Sequence, residues 1–189
     1  MSHMSRDDTA LAPQEPKGGP GGIGAGASIR SPYGDRWIEN LNPGDLVVTR
    51  TEGLQPVRDV VIEPRSRVDA TLAPPIRIAA RAFGPMMPQR ALLLAPDQPV
   101  RVPAHLIDAG SEHPTLRLKA QDLVGQLDGV NAATLFDLDA PLVWYRLVFE
   151  RPQSVMVSGV ILECRGAKTR PGQAPEALGT AGTPPKNEI

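Results

Sequence analysis

Short apolar runs cut off by proline or glycine fill the middle of this chain, and that punctuation decides what it can fold into. Runs of this kind, rich in Val and Ile, are too short for helices and fit strands. They predict strands over 46–49, 57–62, 76–80, 92–94, 100–102, 115–118, 142–150, 154–157 and 160–164. Many short strands separated by turns imply a rolled or barrel-like all-β domain with little helix. Pro and Gly together make 39 of 189 residues, about 21 % against about 12 % in average usage, which excludes a helical bundle. Helix is expected only as one or two turns over 119–126, ending near Gly125, and one turn over 104–108. In 142–150, Trp144, Arg146 and Val148 alternate with Tyr145, Leu147 and Phe149, the pattern of a central strand partly buried on both faces. No internal repeat of fixed period is found.

The two ends differ from this middle. Residues 1–27 hold three Pro and six Gly, residues 166–189 hold four of each, and both are nearly free of large apolar side chains. Such segments bury too little surface to offset the entropy of ordering them, so both are expected to be disordered, with a compact domain over 28–165. Met1-Ser2-His3-Met4 looks like an expression-tag remnant that hides the native start. The compartment expected is cytoplasmic, or outside the cell by export without a cleaved N-terminal signal.

Charge and cysteine content narrow the function. Twenty Lys and Arg against 21 Asp and Glu leave a net charge of −1, without the basic footprint that nucleic acid or an anionic membrane demands. No apolar stretch is long enough for a spanning helix. Cys164 is the single cysteine, which excludes an intramolecular disulfide and a thiolate-rich zinc site. It ends an apolar run with no His nearby in sequence and reads as a packed structural thiol. His105 and His113 stand eight residues apart without another ligand at metal-binding spacing. Asp137 and Asp139 flank Leu138 but lack the spacing and turn glycine of a calcium loop. The glycines from Gly18 to Gly26 precede a strand rather than a helix, so they make a linker and not a phosphate cradle. No metal and no cofactor is expected.

One local pattern is more specific. Ser31-Pro32-Tyr33-Gly34-Asp35-Arg36 reads as a tight turn. Asn42-Pro43-Gly44-Asp45 follows, with Pro43 and Gly44 at the two central positions of a type II turn. Asp45 is placed to cap the start of the strand that follows, by accepting hydrogen bonds from turn amides.

In order and spacing, Gly26 to Gly34 and Leu41 to Val47 resemble the opening blocks of the Hint (hedgehog/intein) domain family, in the form common in bacterial proteins with one such module. That family begins with Cys, an aromatic, two small residues and Gly-Thr, then reaches a Pro-Gly-Asp-Leu-Val turn. Gln55-Pro56-Val57-Arg58, Pro75-Ile76-Arg77-Ile78 and Phe83-Gly84-Pro85 resemble its next segments. Leu92 to Gln98 falls on the block that usually reads Leu-x-x-Ser-Pro-x-His, and Tyr145 to Arg151 with Gly159 to Glu163 look like the closing strands. The resemblance spans most of 22–165, with a long insertion around Asp108 to Thr115.

What the resemblance implies is a β-rich fold of two pseudo-symmetric halves and an N-to-S acyl shift. A Cys attacks the preceding carbonyl while a His protonates the leaving amide. Here Gly22 stands at the Cys position and Gln98 at the His position, and a carboxamide cannot shuttle protons. Arg146 and Pro152 stand where related sequences often carry His. No terminal His-Asn pair is found near Glu163-Cys164. The expectation is a catalytically inactive Hint-like module that binds a protein partner or adjoining domain. Gln98, Arg146 and Arg151 would line what remains of the cleft. Two rival readings are an autoprocessing domain using Ser28 or Cys164, and an unrelated β-clip-type structural domain.

Overall fold

The computed structural model describes residues 21–65, 73–127, 132–136 and 141–167. Fourteen strands are found among them. In chain order they are β1 Ile23–Gly24, β2 Ser28–Ser31, β3 Gly34–Trp37, β4 Leu46–Thr49, β5 Gly53–Pro56, β6 Asp59–Arg65 and β7 Ile76–Ile78. They continue as β8 Leu92–Leu94, β9 Pro99–Pro103, β10 Thr115–Lys119, β11 Ala133–Leu135, β12 Leu142–Phe149, β13 Gln153–Val157 and β14 Val160–Gly166. Helix among the described residues is confined to single 3-10 turns at Ile38–Asn40, Ala104–Leu106 and Ala120–Leu123. The all-β expectation holds, because so much Pro and Gly leaves no uninterrupted stretch in which a helix could propagate.

β12 organises the sheet. It pairs antiparallel with β6 along most of its length, from Leu142 opposite Arg65 to Val148 opposite Asp59. On its other edge β1 pairs with it at Tyr145 and Trp144, and β14 runs parallel to it at Val148 and Phe149. Leu142 and Trp144 are buried with Ala95 in a small cluster, whereas Leu147 and Phe149 enter the main core. Successive strand residues point to opposite faces, so this change of parity buries one face at each end. That is the central strand its sequence predicts. The strands divide into one group of β1, β6, β7, β8, β11 and β12 and another of the remaining eight, joined by the β12–β14 pairing.

The predicted turn at 42–45 forms. Gly44 has φ of +93°, which a type II turn requires, and β4 begins directly after Asp45. Ser31–Arg36, read as a turn, is instead the tip of the β2–β3 hairpin, whose turn is only Pro32-Tyr33. Five strands went unpredicted: β1, β2, β3, β5 and β11.

The expected start of the domain at 28 falls too late. Residues 21–24 are buried, and Ile23, 1 % exposed, pairs with both Tyr145 and Leu94. Their glycines mislead because they bury backbone rather than side chain. At the other end β14 runs to Gly166, and Ala167 N–H still donates to Phe149 O at 2.7 Å, so the boundary at 165 is slightly early. Residues 1–20 and 168–189, read as tails, and Asp137 and Asp139 lie outside the described residues.

Candidate functional site

The peptide bond between Gly21 and Gly22 enters the fold at β1 and is gripped from three sides. Gly21 N–H donates to Asp97 Oδ1 at 3.0 Å, and Gly22 N–H donates to Gln98 Oε1 at 3.0 Å. The Arg146 guanidinium donates through Nε to Gly21 O. On the far side, Ala95 N–H donates to Gly22 O at 2.9 Å. Thus the two residues that the resemblance aligns with the family's Cys and His positions, Gly22 and Gln98, lie in hydrogen-bond contact across 76 positions of chain.

Gln98 is held in one orientation. Its Nε2 donates to Pro99 O at 3.1 Å and to Glu163 O at 3.0 Å, leaving Oε1 as the acceptor facing Gly22. Turning the amide over would set donor against donor and acceptor against two carbonyls. The residue is 5 % exposed, so every one of these bonds replaces water that cannot reach it. Its backbone is equally fixed, N–H to Ala95 O and C=O from Ala120 N–H.

Arg146 projects from β12 with its side chain 12 % exposed, and its second anchor is the Glu63 carboxylate on β6. A guanidinium bridges two acceptors readily because its donors lie in a rigid plane. Here it brings positive charge to a peptide carbonyl, which polarises the C=O in the sense of oxyanion stabilisation. Sequence reasoning named Gln98 and Arg146, and the fold brings them together. It does not bring Arg151, whose side chain is 79 % exposed and faces Glu52 at 4.0 Å.

Both glycines sit where the surroundings crowd a side chain, Gly21 more severely than Gly22. Gly21 has φ of +97°, and a Cβ there would meet Gln98 Oε1 at 2.6 Å. Gly22 has no such backbone strain; a Cβ on it would instead meet the Trp144 ring at 3.1 Å. Asp97, Glu63, Gly21 and Trp144 were missed from sequence. Trp144 and Arg146 share a strand face by their spacing of two, and that was the one available signal.

Beside the clamped peptide is a cavity of about 20 Å³, lined by Ile23, Gln98, Arg146, Glu163 and Cys164 among others. That is room for one water molecule, not for a peptide strand. Cys164 is 8 % exposed; burial first and the neighbouring Glu163 carboxylate second push its thiol up to about 12. It is therefore protonated near neutral pH and a poor nucleophile. Ser28 lies elsewhere, with Ser158 and Asp35 along a larger cavity of about 190 Å³. His105 and His113 are both exposed, and no group of three metal-ligating side chains gathers among the described residues.

The fold defined by these strands is that of intein-like domains. The solution structure of a bacterial intein-like domain from Clostridium thermocellum superposes with a TM-score of 0.50 at 14 % identity, covering 76 % of this chain and 98 % of that one. The gp41-1 intein (13 % identity, TM-score 0.45, covering 76 % and 98 %) is also similar. So is a splice-inactive variant of the AceL NrdHF class 3 split intein (14 %, 0.45, covering 78 % and 99 %). No curated protein sequence matches. The family description "Hint domain" matches residues 23–166, and the chain belongs to that family. The reading as an unrelated β-clip-type domain is thereby overturned.

Proposed function

We propose that this is a Hint domain that does not process itself and serves as a structural or protein-binding module, holding an adjoining polypeptide through an intact Gly21–Gly22 bond. The observation that carries this reading is the clamp itself. An acyl shift needs a nucleophilic side chain on the residue after the bond and a proton donor for its leaving nitrogen. Residue 22 has no side chain, and the group facing its N–H, Gln98 Oε1, is an acceptor. Loss of both partners of a catalytic unit leaves nothing for one to rescue.

Gln98 and Arg146 are committed to the chain's own backbone, so the partner we favour is the polypeptide that joins the domain ahead of Gly21. Arg151 stands outside this arrangement. The rival autoprocessing reading draws no support from Cys164, which is buried and protonated, or from Ser28, which lines a different cavity.

The test is intact-mass spectrometry of a fusion carrying a folded domain ahead of residue 21, incubated at length with hydroxylamine or a strong thiol. A single unbroken species is expected. Fragments separating at the bond before Gly22 would overturn the reading.

A further inference from the structure

We infer that Trp144 keeps the Gly21–Gly22 bond inert, its indole filling the space that a side chain on residue 22 would need. The inference rests on the inactive reading above but concerns a different cause: not which group is missing, but what now occupies its place. All three atoms nearest to a Cβ built on Gly22 belong to Trp144: Cδ2 and Cγ at 3.1 Å, and Cβ at 3.3 Å. Contacts this short require the neighbour to yield. The ring has little freedom to do so. Trp144 is 4 % exposed, packs with Ala95 and Leu142, and sits mid-strand between Gly24 of β1 and Glu63 of β6. By contrast the backbone of Gly22 lies outside the left-handed region and accepts an ordinary residue. What opposes one is the Trp144 side chain, which would have to give by a few tenths of an ångström.

One group that attack would need is already in place. Arg146 donates to the carbonyl oxygen of Gly21, where negative charge would develop. In a Gly22→Cys variant, sulfur would attack the Gly21 carbonyl carbon and the bond to the residue 22 nitrogen would break. The thiol proton would finish on that nitrogen, giving a thioester and a free amine. Added hydroxylamine would then displace the thiolate and leave a hydroxamate on Gly21. Gln98→His supplies the proton donor that the carboxamide lacks.

Two measurements test this. In the first, Gly22→Ala is made in a Trp37→Phe background, so that Trp144 is the only indole. Its emission should move to the red and the melting midpoint fall by about 3–8 °C as the ring is displaced. Unchanged emission and midpoint would overturn the inference, whether or not any chemistry is ever seen. In the second, Gly22→Cys with Gln98→His is compared with and without Trp144→Ala, folding being checked by circular dichroism. Hydroxylamine should cut before residue 22 at least tenfold faster when Trp144 is truncated. Equal rates with and without the indole, or a folded triple variant that stays whole, would sink the idea. Cleavage of the unsubstituted chain bears on the inactive reading alone, because the emission measurement is independent of it.

Discussion

Gly22 N–H and Gln98 Oε1 meet at 3.0 Å, and through that bond the start of the fold is tied to the turn between β8 and β9. A carboxamide suits this position because it accepts from one backbone amide while donating to two carbonyls, those of Pro99 and Glu163. One side chain thus satisfies three main-chain groups, contributed by the residue just before β1, by β9 and by β14.

Gln98→Ala is expected to destabilise the domain by about 1–3 kcal/mol, because it strands the buried Gly22 N–H without a partner. Gln98→Glu should be worse above the carboxylate range, since a buried negative charge would then face two carbonyl oxygens. Urea unfolding of both variants checks the order. A glutamate variant more stable than the alanine variant at pH 7 would refute it.

Gly21→Ala should cost about 1–3 kcal/mol through its positive φ and the collision with the Gln98 carboxamide. Denaturant midpoints measure this directly. An unshifted midpoint would mean that the chain does not enter the site as described.

Arg146→Met removes the donor to Gly21 O and leaves a buried carbonyl unpaired, with an expected loss of about 1–3 kcal/mol. Arg146→Lys should recover only part of it, because an ammonium lacks the planar fork that reaches both Gly21 O and Glu63. Equal stability of the Lys variant and the unsubstituted chain would exclude the bridging role.

Asp45 accepts from Asn42 N–H at 2.8 Å and pairs with Arg36 at 2.9 Å. The Asn42 hydrogen bond first, and Arg36 after it, hold its carboxyl below the ordinary value of 3.8. Asp45→Ala should cost about 0.5–2 kcal/mol. The sign of the pH effect follows from a depressed folded-state pKa. Its stabilisation is fully present above pH 4 or so and is lost as pH falls through the folded value. The gap between variant and parent, followed in denaturant from pH 6 down to pH 2, should therefore narrow only below about pH 4.

Cys164, with its thiol raised from 9.0 to about 12, should resist maleimide at pH 7–8 in the folded chain and react on unfolding. A raised folded pKa contributes stability that is whole below the unfolded value. It is lost as pH climbs from about 9 toward 12, where the unfolded thiol ionises first. Rapid labelling under native conditions would contradict the burial described.

Local residue pattern was enough to set the class of fold and the rhythm of most of its strands. Val and Ile runs closed off by Pro and Gly can form little else, and β4 and β8 lie where local pattern sets them. The turn chemistry of Pro43-Gly44-Asp45 was legible for the same reason: it acts within four residues. Family resemblance also aligned Gly22 and Gln98 with two functional positions. What those residues contact depends on parts of the chain far from them in sequence. Gly21 to Gly24 read as a linker because glycine carries no apolar side chain, yet their backbone is buried, with two partners too close for a Cβ and a third that would crowd one. Those partners, Gln98, Leu93 and Trp144, lie roughly 70 to 120 residues away, beyond any local periodicity. Strands as short as β1 and β11 are specified by the neighbours that pair with them, Tyr145 and Leu94 for Ile23, and Ile78 for Ala133, rather than by their own two or three residues.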